Sequence, residues 1–443
     1  MENVFLIFYL LAIASLGLYK ALRNSWNADL FNHYFADVAK MFSLRHIRGG
    51  LLAFPKMMGT IEGSKVRVDK VVWQKEKYLR ILFRYDLGMK GYFRISRETS
   101  FTQMQKLVGL EDILTGDGPF DEKMLLRASQ KFIIPALMSA GVRRRLLDLN
   151  RISASLELTN TDFEIRIPLK DIGDSAPLFA SLRNMQAVIK DFHEEPNLKQ
   201  RLLNNILESD VPRVSVRNIR TYIGHFSLSE DMIAALQYLL ENGSPEVQVE
   251  ASRHLGQEGM THLLRLLREG FLSDEKILLG AVKILQENRF RRAVPVLKKI
   301  YSGAWGDGLR VGILGAFRDF ADESLHGFLV GQLGKSVGDV RLAVIGALGT
   351  CGRGAEAVDK LLRCSRKSFS PTLRSAVDRA VVEIQSRMGS ADRGWLSLEE
   401  SAAMDGALSR AEAPQEQGAL SLTGGEAPQK GGKIGRASCR ERV

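Results

Sequence analysis

Between Val247 and Val381 one spacing of apolar residues recurs five times. Val247, Val249, Ala251 and Leu255 stand at offsets 0, 2, 4 and 8, and the same offsets pick out Ile277, Leu279, Ala281 and Leu285. Leu309, Val311, Ile313 and Phe317 follow, then Val340, Leu342, Val344 and Leu348, and finally Leu373, Ser375, Val377 and Val381. Successive sets start 30, 32, 31 and 33 residues apart, the length of two short helices and two turns. That periodicity predicts a stacked α-solenoid, in which no unit can bury its apolar face alone. Val214, Val216, Asn218 and Tyr222 fit the spacing weakly and predict a degenerate first unit. Second helices are expected around Leu263, Leu264 and Leu267, around Val294, Leu297 and Ile300, around Phe328, Leu329 and Leu333, and around Val358, Leu361 and Leu362. Ser244-Pro245 and Ser370-Pro371 each supply an N-cap with proline at the first helical position.

Upstream the period changes from helical to alternating. Leu79, Ile81, Phe83, Tyr85 and Leu87 alternate with mainly polar neighbours, the pattern of a half-buried strand. Val66 and Val68 begin an earlier strand, and residues 92–95 form a later one. Residues 152–158 and 163–169 flank Thr159-Asn160-Thr161-Asp162, which reads as a hairpin. A helix over residues 130–149 is expected before it. Another follows it, capped at Ser175, with Leu178, Leu182, Met185 and Ile189 facing inward. Residues 58–195 thus read as an α+β domain.

The first 57 residues hold two more apolar patterns. Val4 to Tyr19 carries no charge and is followed by Lys20 and Arg23. With Lys20 snorkelling, a stretch reaching Leu22 can span a bilayer, and Glu2 argues against a cleaved signal peptide. Residues 1–23 are therefore expected to be an uncleaved anchor, with the body on the cytoplasmic side because the positive charge lies after the span. In residues 24–57 a helix is expected up to residue 48, with Phe31, Phe35, Val38 and Phe42 on one face. That stripe could lie in the membrane interface, form a neck between chains, or pack against the following domain.

Two segments resemble known families. Gly116-Asp117-Gly118-Pro119-Phe120-Asp121 leads a strand, then helix, hairpin and helix. This order resembles a domain of bacterial membrane-anchored proteins, a likeness that carries no known chemistry. Gly338-Asp339-Val340-Arg341-Leu342-Ala343-Val344-Ile345-Gly346-Ala347-Leu348-Gly349 resembles a bacterial HEAT repeat of the type named after phycobilisome lyases. In that type Asp-Val-Arg opens the first helix and Ala-Leu-Gly closes it. The resemblance covers about a third of the chain, the clear units from Ser244 to about Gly389 within a solenoid expected over 197–389, and implies protein binding, with some members assisting bilin attachment or hydroxylation. The chain lacks the His and Glu pairs at repeat ends that a metal-dependent enzyme of this type would need.

Composition adds less. The formal charge of +11 is dispersed, its densest runs being Arg143-Arg144-Arg145 and Arg289 to Arg292. With no nucleic-acid motif present, the charge favours anionic protein partners or lipid headgroups over nucleic acid. Residues 434–443 read as translated sequencing adapter, since ATC GGA AGA GCG TCG TGT AGG GAA AGA GTG encodes Ile-Gly-Arg-Ala-Ser-Cys-Arg-Glu-Arg-Val in that order. The natural chain is accordingly expected to continue past Lys433. Cys351 and Cys364, 13 apart, fit neither a zinc site nor a redox pair. His254 and His262 form the one close histidine pair in the repeats, more in keeping with core or surface than with ligation.

Arg310, Arg341 and Arg374 occupy one repeat position and would form a ladder, either pairing with Asp307, Asp339 and neighbouring repeats or presenting an anion-binding stripe. Residues 390–433 are rich in Gly, Ala, Ser, Glu, Gln and Pro and are expected to be disordered. Within them a Gly-x-Leu-Ser motif begins at Gly394, Gly406 and Gly418. Leu396, Leu408 and Leu420 are its shared apolar anchors, arising from partner docking or from neutral duplication. No phosphate-binding loop, nucleophile elbow, zincin motif or paired C-x-x-C is present, and no cofactor is implied. The expected protein is a membrane-tethered scaffold without catalysis of its own; the alternative is an accessory lyase-like subunit acting on a prosthetic group or modified protein. Oligomeric state is not legible in the sequence.

Overall fold

The computed structural model describes residues 15, 29–50, 53–89, 91–98, 113–194, 197–366 and 370–388. The architecture is mixed: an antiparallel sheet with its helices, then a long all-helical region. The sheet has eight strands in the order β1-β2-β3-β4-β8-β7-β5-β6. Those strands are β1 (Arg45–Ile47), β2 (Lys56–Ile61), β3 (Ser64–Trp73), β4 (Glu76–Arg84), β5 (Phe93–Arg97), β6 (Met124–Ala128), β7 (Ser155–Thr159) and β8 (Asp162–Pro168).

Alternation along β4 has the expected outcome, with Leu79, Ile81 and Phe83 all on the buried face. Register carries this face across the sheet. Val66 opposes Phe83, Phe83 opposes Phe163, and Phe163 opposes Leu158. The hairpin forms where expected: the Thr159 hydroxyl accepts the N–H groups of Thr161 and Asp162 at 3.3 and 3.1 Å. Asn160 then ties the turn to β5 by accepting the Phe93 N–H at 2.9 Å.

Two strands lack a clear sequence signal, and a third is the strand that the Gly116–Asp121 segment is expected to lead. β1 and β2 flank the loop at Gly49 and Pro55, and β6 is the continuous apolar run Met124-Leu125-Leu126. β1 also replaces the last turn of the helix expected through residue 48, which ends at residue 41. The single helix expected over 130–149 is two, Ile133–Leu137 and Ala140–Ile152. They break at Ser139, whose hydroxyl accepts the Val142 N–H at 3.2 Å and so caps the second.

The aromatic stripe of residues 29–41 packs on the following domain. Phe31, Phe35 and Val38 join one core with the sheet and with Leu178, Leu182 and Met185 of the helix Ala176–Glu194. The opposite sheet face is charged and largely self-neutralised. Asp69 is buried between Arg67 and Arg80, at 2.7 and 2.9 Å, while Glu164 and Glu157 take Arg166 and Arg94.

After Leu198–Glu208, the helical region alternates first and second helices. The first helices are Pro212–His225, Pro245–His254, Glu275–Glu287, Asp307–Phe320, Gly338–Cys351 and Pro371–Arg387. From Pro212–His225 to Gly338–Cys351, each packs against the first helix before it. Offsets 0, 4 and 8 of the repeated spacing form the core stripe, because four residues return a helix to nearly the same face. Leu309, Ile313, Phe317, Val344, Leu348 and Val377 are all fully buried there.

Offset 2 lies on another face, about 200° round the helix. Leu279, Val311 and Leu342 are only half-buried and Ser375 is exposed, while Val249 is buried. This second row faces the next unit: a Cβ placed on Gly312 would come within 2.4 Å of Leu279 Cδ1. One approach is closer still. A Cβ on Gly259 would lie 2.0 Å from the Ser252 carbonyl oxygen, so two successive helices touch backbone to backbone there.

The two rows are separable by stability. Leu348→Ala empties a fully buried site and should cost about 2–4 kcal/mol in thermal or denaturant unfolding of the full chain. Leu342→Ala, on the half-buried row, should cost less than half of that. Equal losses would place the core seam on the wrong residues.

Candidate partner-binding surfaces and the joint that positions them

The Gly-Asp-x-x-Phe-Asp segment builds the joint between the sheet and the helical region. Asp121 folds the turn on itself, accepting the N–H groups of Thr115 and Gly116 at 2.8 and 2.9 Å and the Thr115 hydroxyl at 2.8 Å. Phe120 is fully buried beneath. Gly116 has φ +97°, and a Cβ there would sit 2.8 Å from the Arg213 carbonyl oxygen at the start of Pro212–His225. Only glycine allows that approach. Asp117 accepts from Arg143 Nε at 2.9 Å, and Arg143 also donates to the Met138 carbonyl at 2.7 Å. The arginine run expected on the solvated surface therefore has its first member buried, 2% exposed, in a structural pair.

A second buried arginine completes the joint. Arg201 donates to the carbonyls of Ala136 and Asp191, and Asn205 donates to those of Pro135 and Ala136 at 2.9 Å. The Pro135 and Ala136 carbonyls end the short helix Ile133–Leu137, where backbone acceptors have no partner of their own. Phe132, just before that helix, packs its ring 5.3 Å from the rings of both His225 and Phe226. The motif thus has a mechanical role, and Arg201 and Asn205 carry no sequence signal that singles them out.

Between successive units the polar edges interlock. Glu250 is buried and accepts a two-point contact from Arg220 of the preceding unit, at 2.9 and 2.7 Å. His254 Nε2 stands 3.5 Å from the same carboxylate. Arg253 pairs with Glu287, and Gln286 donates to Asp319 at 2.6 Å. Of the histidine pair, His254 serves this contact, while His262 lies beside Arg265. Burial, and then the Arg265 charge, lower the pKa of His262. Among the described residues no cluster of His, Cys, Asp or Glu could hold a metal ion.

Two of the arginines at one repeat position, Arg310 and Arg341, turn back to their own loops. Arg310 donates to the Gly303 carbonyl at 3.2 Å and lies 3.6 Å from Asp307; Arg341 donates to the Ser336 carbonyl at 2.6 Å. Arg341 thus bonds a loop carbonyl. Arg374 is exposed on the last first helix. Arg310 also lines an open cleft of about 380 Å³ with Lys335 and Val337. Cys351 is buried and donates to the Phe317 carbonyl at 3.3 Å.

A second cleft, of about 510 Å³, opens along the second helices, with Arg268, Arg291 and Arg292 around Phe290 and Pro295. Sequence reasoning noted the Arg289–Arg292 run but could not bring Arg268 to it, since that proximity comes from helix stacking. Leu396, Leu408 and Leu420, and the anchor segment, lie outside the described residues. Among the described residues no helix is long and apolar enough to cross a membrane. No family model, curated protein or solved structure matches this chain.

The Glu250 contact predicts a pH dependence. Burial alone would raise its carboxyl pKa, but the nearby His254 imidazole and the hydrogen-bonded Arg220 bring it from 4.5 to about 2. A depressed acid stabilises the fold above its unfolded pKa, and that contribution is lost as pH falls from 4.5 towards 2. Glu250→Gln should lower stability by about 2–3 kcal/mol at neutral pH and flatten the acid limb between those values. Denaturant titrations from pH 7 to 2 read both effects. Parallel acid limbs in the two proteins would refute the assignment.

Proposed function

We propose that this chain is a membrane-tethered scaffold that holds protein partners on a HEAT-type solenoid. The observation that carries the reading is the joint. Arg201 and Asn205 lock the helix Leu198–Glu208 to the short helix Ile133–Leu137, and Arg143 holds Met138 beside it, through buried hydrogen bonds, so the helical units start from one fixed base. A stack of helix pairs on a fixed base offers an extended surface whose side chains can vary without disturbing the seam. The clefts beside Arg310 and Arg291 lie on that surface.

The other parts of the proposal come from the sequence. Residues 1–23 supply the tether, with the body at the cytoplasmic side of the inner membrane. The Gly-x-Leu-Ser copies supply further anchors at Leu396, Leu408 and Leu420, raising retention through avidity. Catalysis has no part in the proposal.

Membranes carrying the tagged full chain test this reading. After alkaline carbonate washing the chain should remain in the pellet, and detergent capture should recover defined protein partners at near-stoichiometric yield. Retention should fall in steps as Leu396, Leu408 and Leu420 are changed to alanine singly and together. Release by carbonate would remove the tether. Recovery of the chain alone with a bound chromophore would favour the lyase-like alternative.

A further inference from the structure

The second-helix cleft gathers cations without counter-charges over an apolar floor. On the sheet face each carboxylate named above has an arginine within 3.0 Å. Between units, Arg220, Arg253 and Arg353 are paired with Glu250, Glu287 and Glu323. Among the described residues, by contrast, no carboxylate stands within ion-pair distance of Arg268, Arg289 or Arg292. All three are exposed.

The one acid lining the cleft is already engaged. Asp322 accepts the Ser324 N–H at 2.9 Å. Arg291 and Lys298 lie close enough to favour its charged form. It neutralises Arg291 in part and leaves Arg268 and Arg292 of the cleft lining to meet a ligand.

Beneath the cations the floor is apolar. Leu264 and Val294 are buried and Phe290 is half-buried, with Pro295 exposed beside them. A ligand that matches this cleft carries two or more carboxylates flanking a large apolar side chain. Guanidinium groups bind carboxylates with planar two-point geometry, and a partly desolvated apolar pocket supplies the anchor.

We infer that the cleft between the second helices Gly256–Glu269 and Val294–Tyr301 is a docking site for an acidic peptide segment of a protein partner, bearing an apolar anchor residue. The inference rests on the scaffold reading and names the chemistry of one of its partners. Nucleic acid fits less well, because a phosphate backbone needs a continuous cationic track. Here Asp322 lines the cleft itself, Glu323 follows it and Glu258 stands in the first turn of Gly256–Glu269, so the cations form no continuous track.

The probe is a fluorescein-labelled peptide Glu-Glu-Phe-Glu-Leu-Glu, titrated with the purified full chain at low ionic strength and read by anisotropy. Binding should weaken at least about tenfold for the double variant Arg268→Glu, Arg292→Glu, and by less for Arg292→Gln. Replacing the peptide's glutamates by glutamines, or its phenylalanine by serine, should each abolish binding. All the substituted arginines are exposed, so circular dichroism and the melting curve should be unchanged and report a folded variant.

Equal affinity for wild type and double variant would overturn the inference, as would equal affinity for the glutamine peptide. Stronger arginine-dependent binding of a single-stranded oligonucleotide, or of phosphatidylserine vesicles, than of the peptide would also overturn it. Full retention of membrane partners by the double variant, with the peptide unbound by either protein, would refute this site while leaving the scaffold reading intact.

Discussion

Everything beyond the sheet is placed by the carbonyl end of one five-residue helix, Ile133–Leu137. Its last acceptors would be buried without partners if Arg201 and Asn205 did not reach them. An unsatisfied buried carbonyl is costly, and an unpaired buried guanidinium more so, which makes the contact nearly all-or-none. Arg143 extends the constraint by tying Met138 to Asp117, and so to the turn that abuts Pro212–His225. A helical array hung on a flexible linker would sample many orientations; this one is fixed at its first unit.

From that base the array propagates by local fit. Each first helix presents a core row at offsets 0, 4 and 8 and a second row towards its successor. Gly280 and Gly312 stand opposite that second row, facing Val249 and Leu279 of the units before them. Small residues allow helix axes to come close, and the approach of Leu279 to Gly312 shows how little space is left. Glu250, Glu287 and Asp319 then stitch the polar edges, so apolar seam and polar rim report the same register.

Charge is handled differently on the two parts. The outer sheet face, with like-charged Glu157 opposite Glu164 and Arg80 opposite Arg166, is stable because each charge finds an opposite one on a neighbouring residue. Apart from the buried Asp69, such pairs are exposed and add little stability, but they leave little net field. The cleft around Arg268 and Arg292 lacks that compensation. An uncompensated cationic cluster over apolar side chains costs solvation and repulsion without helping the fold, which is why it reads as recognition.

The sequence by itself determined the mixed architecture, the alternating face of β4, the hairpin at Asn160, and the helix pairs with their core row. These are local periodicities of two and of about 3.6 residues, and each expresses the geometry of its own element. It did not separate offset 2 from offsets 0, 4 and 8, because apolar residues look alike whether they face the core or the next unit. It gave no sign of β1 or β2, short strands whose pairing is set by neighbours distant in sequence. Tertiary structure alone decided that the aromatic stripe of Phe31 and Phe35 joins the sheet core, that the Gly-Asp-x-x-Phe-Asp turn is a joint, and that Arg268 meets Arg292. Each of these depends on groups brought together from separate elements, and no local period encodes a distance of that kind.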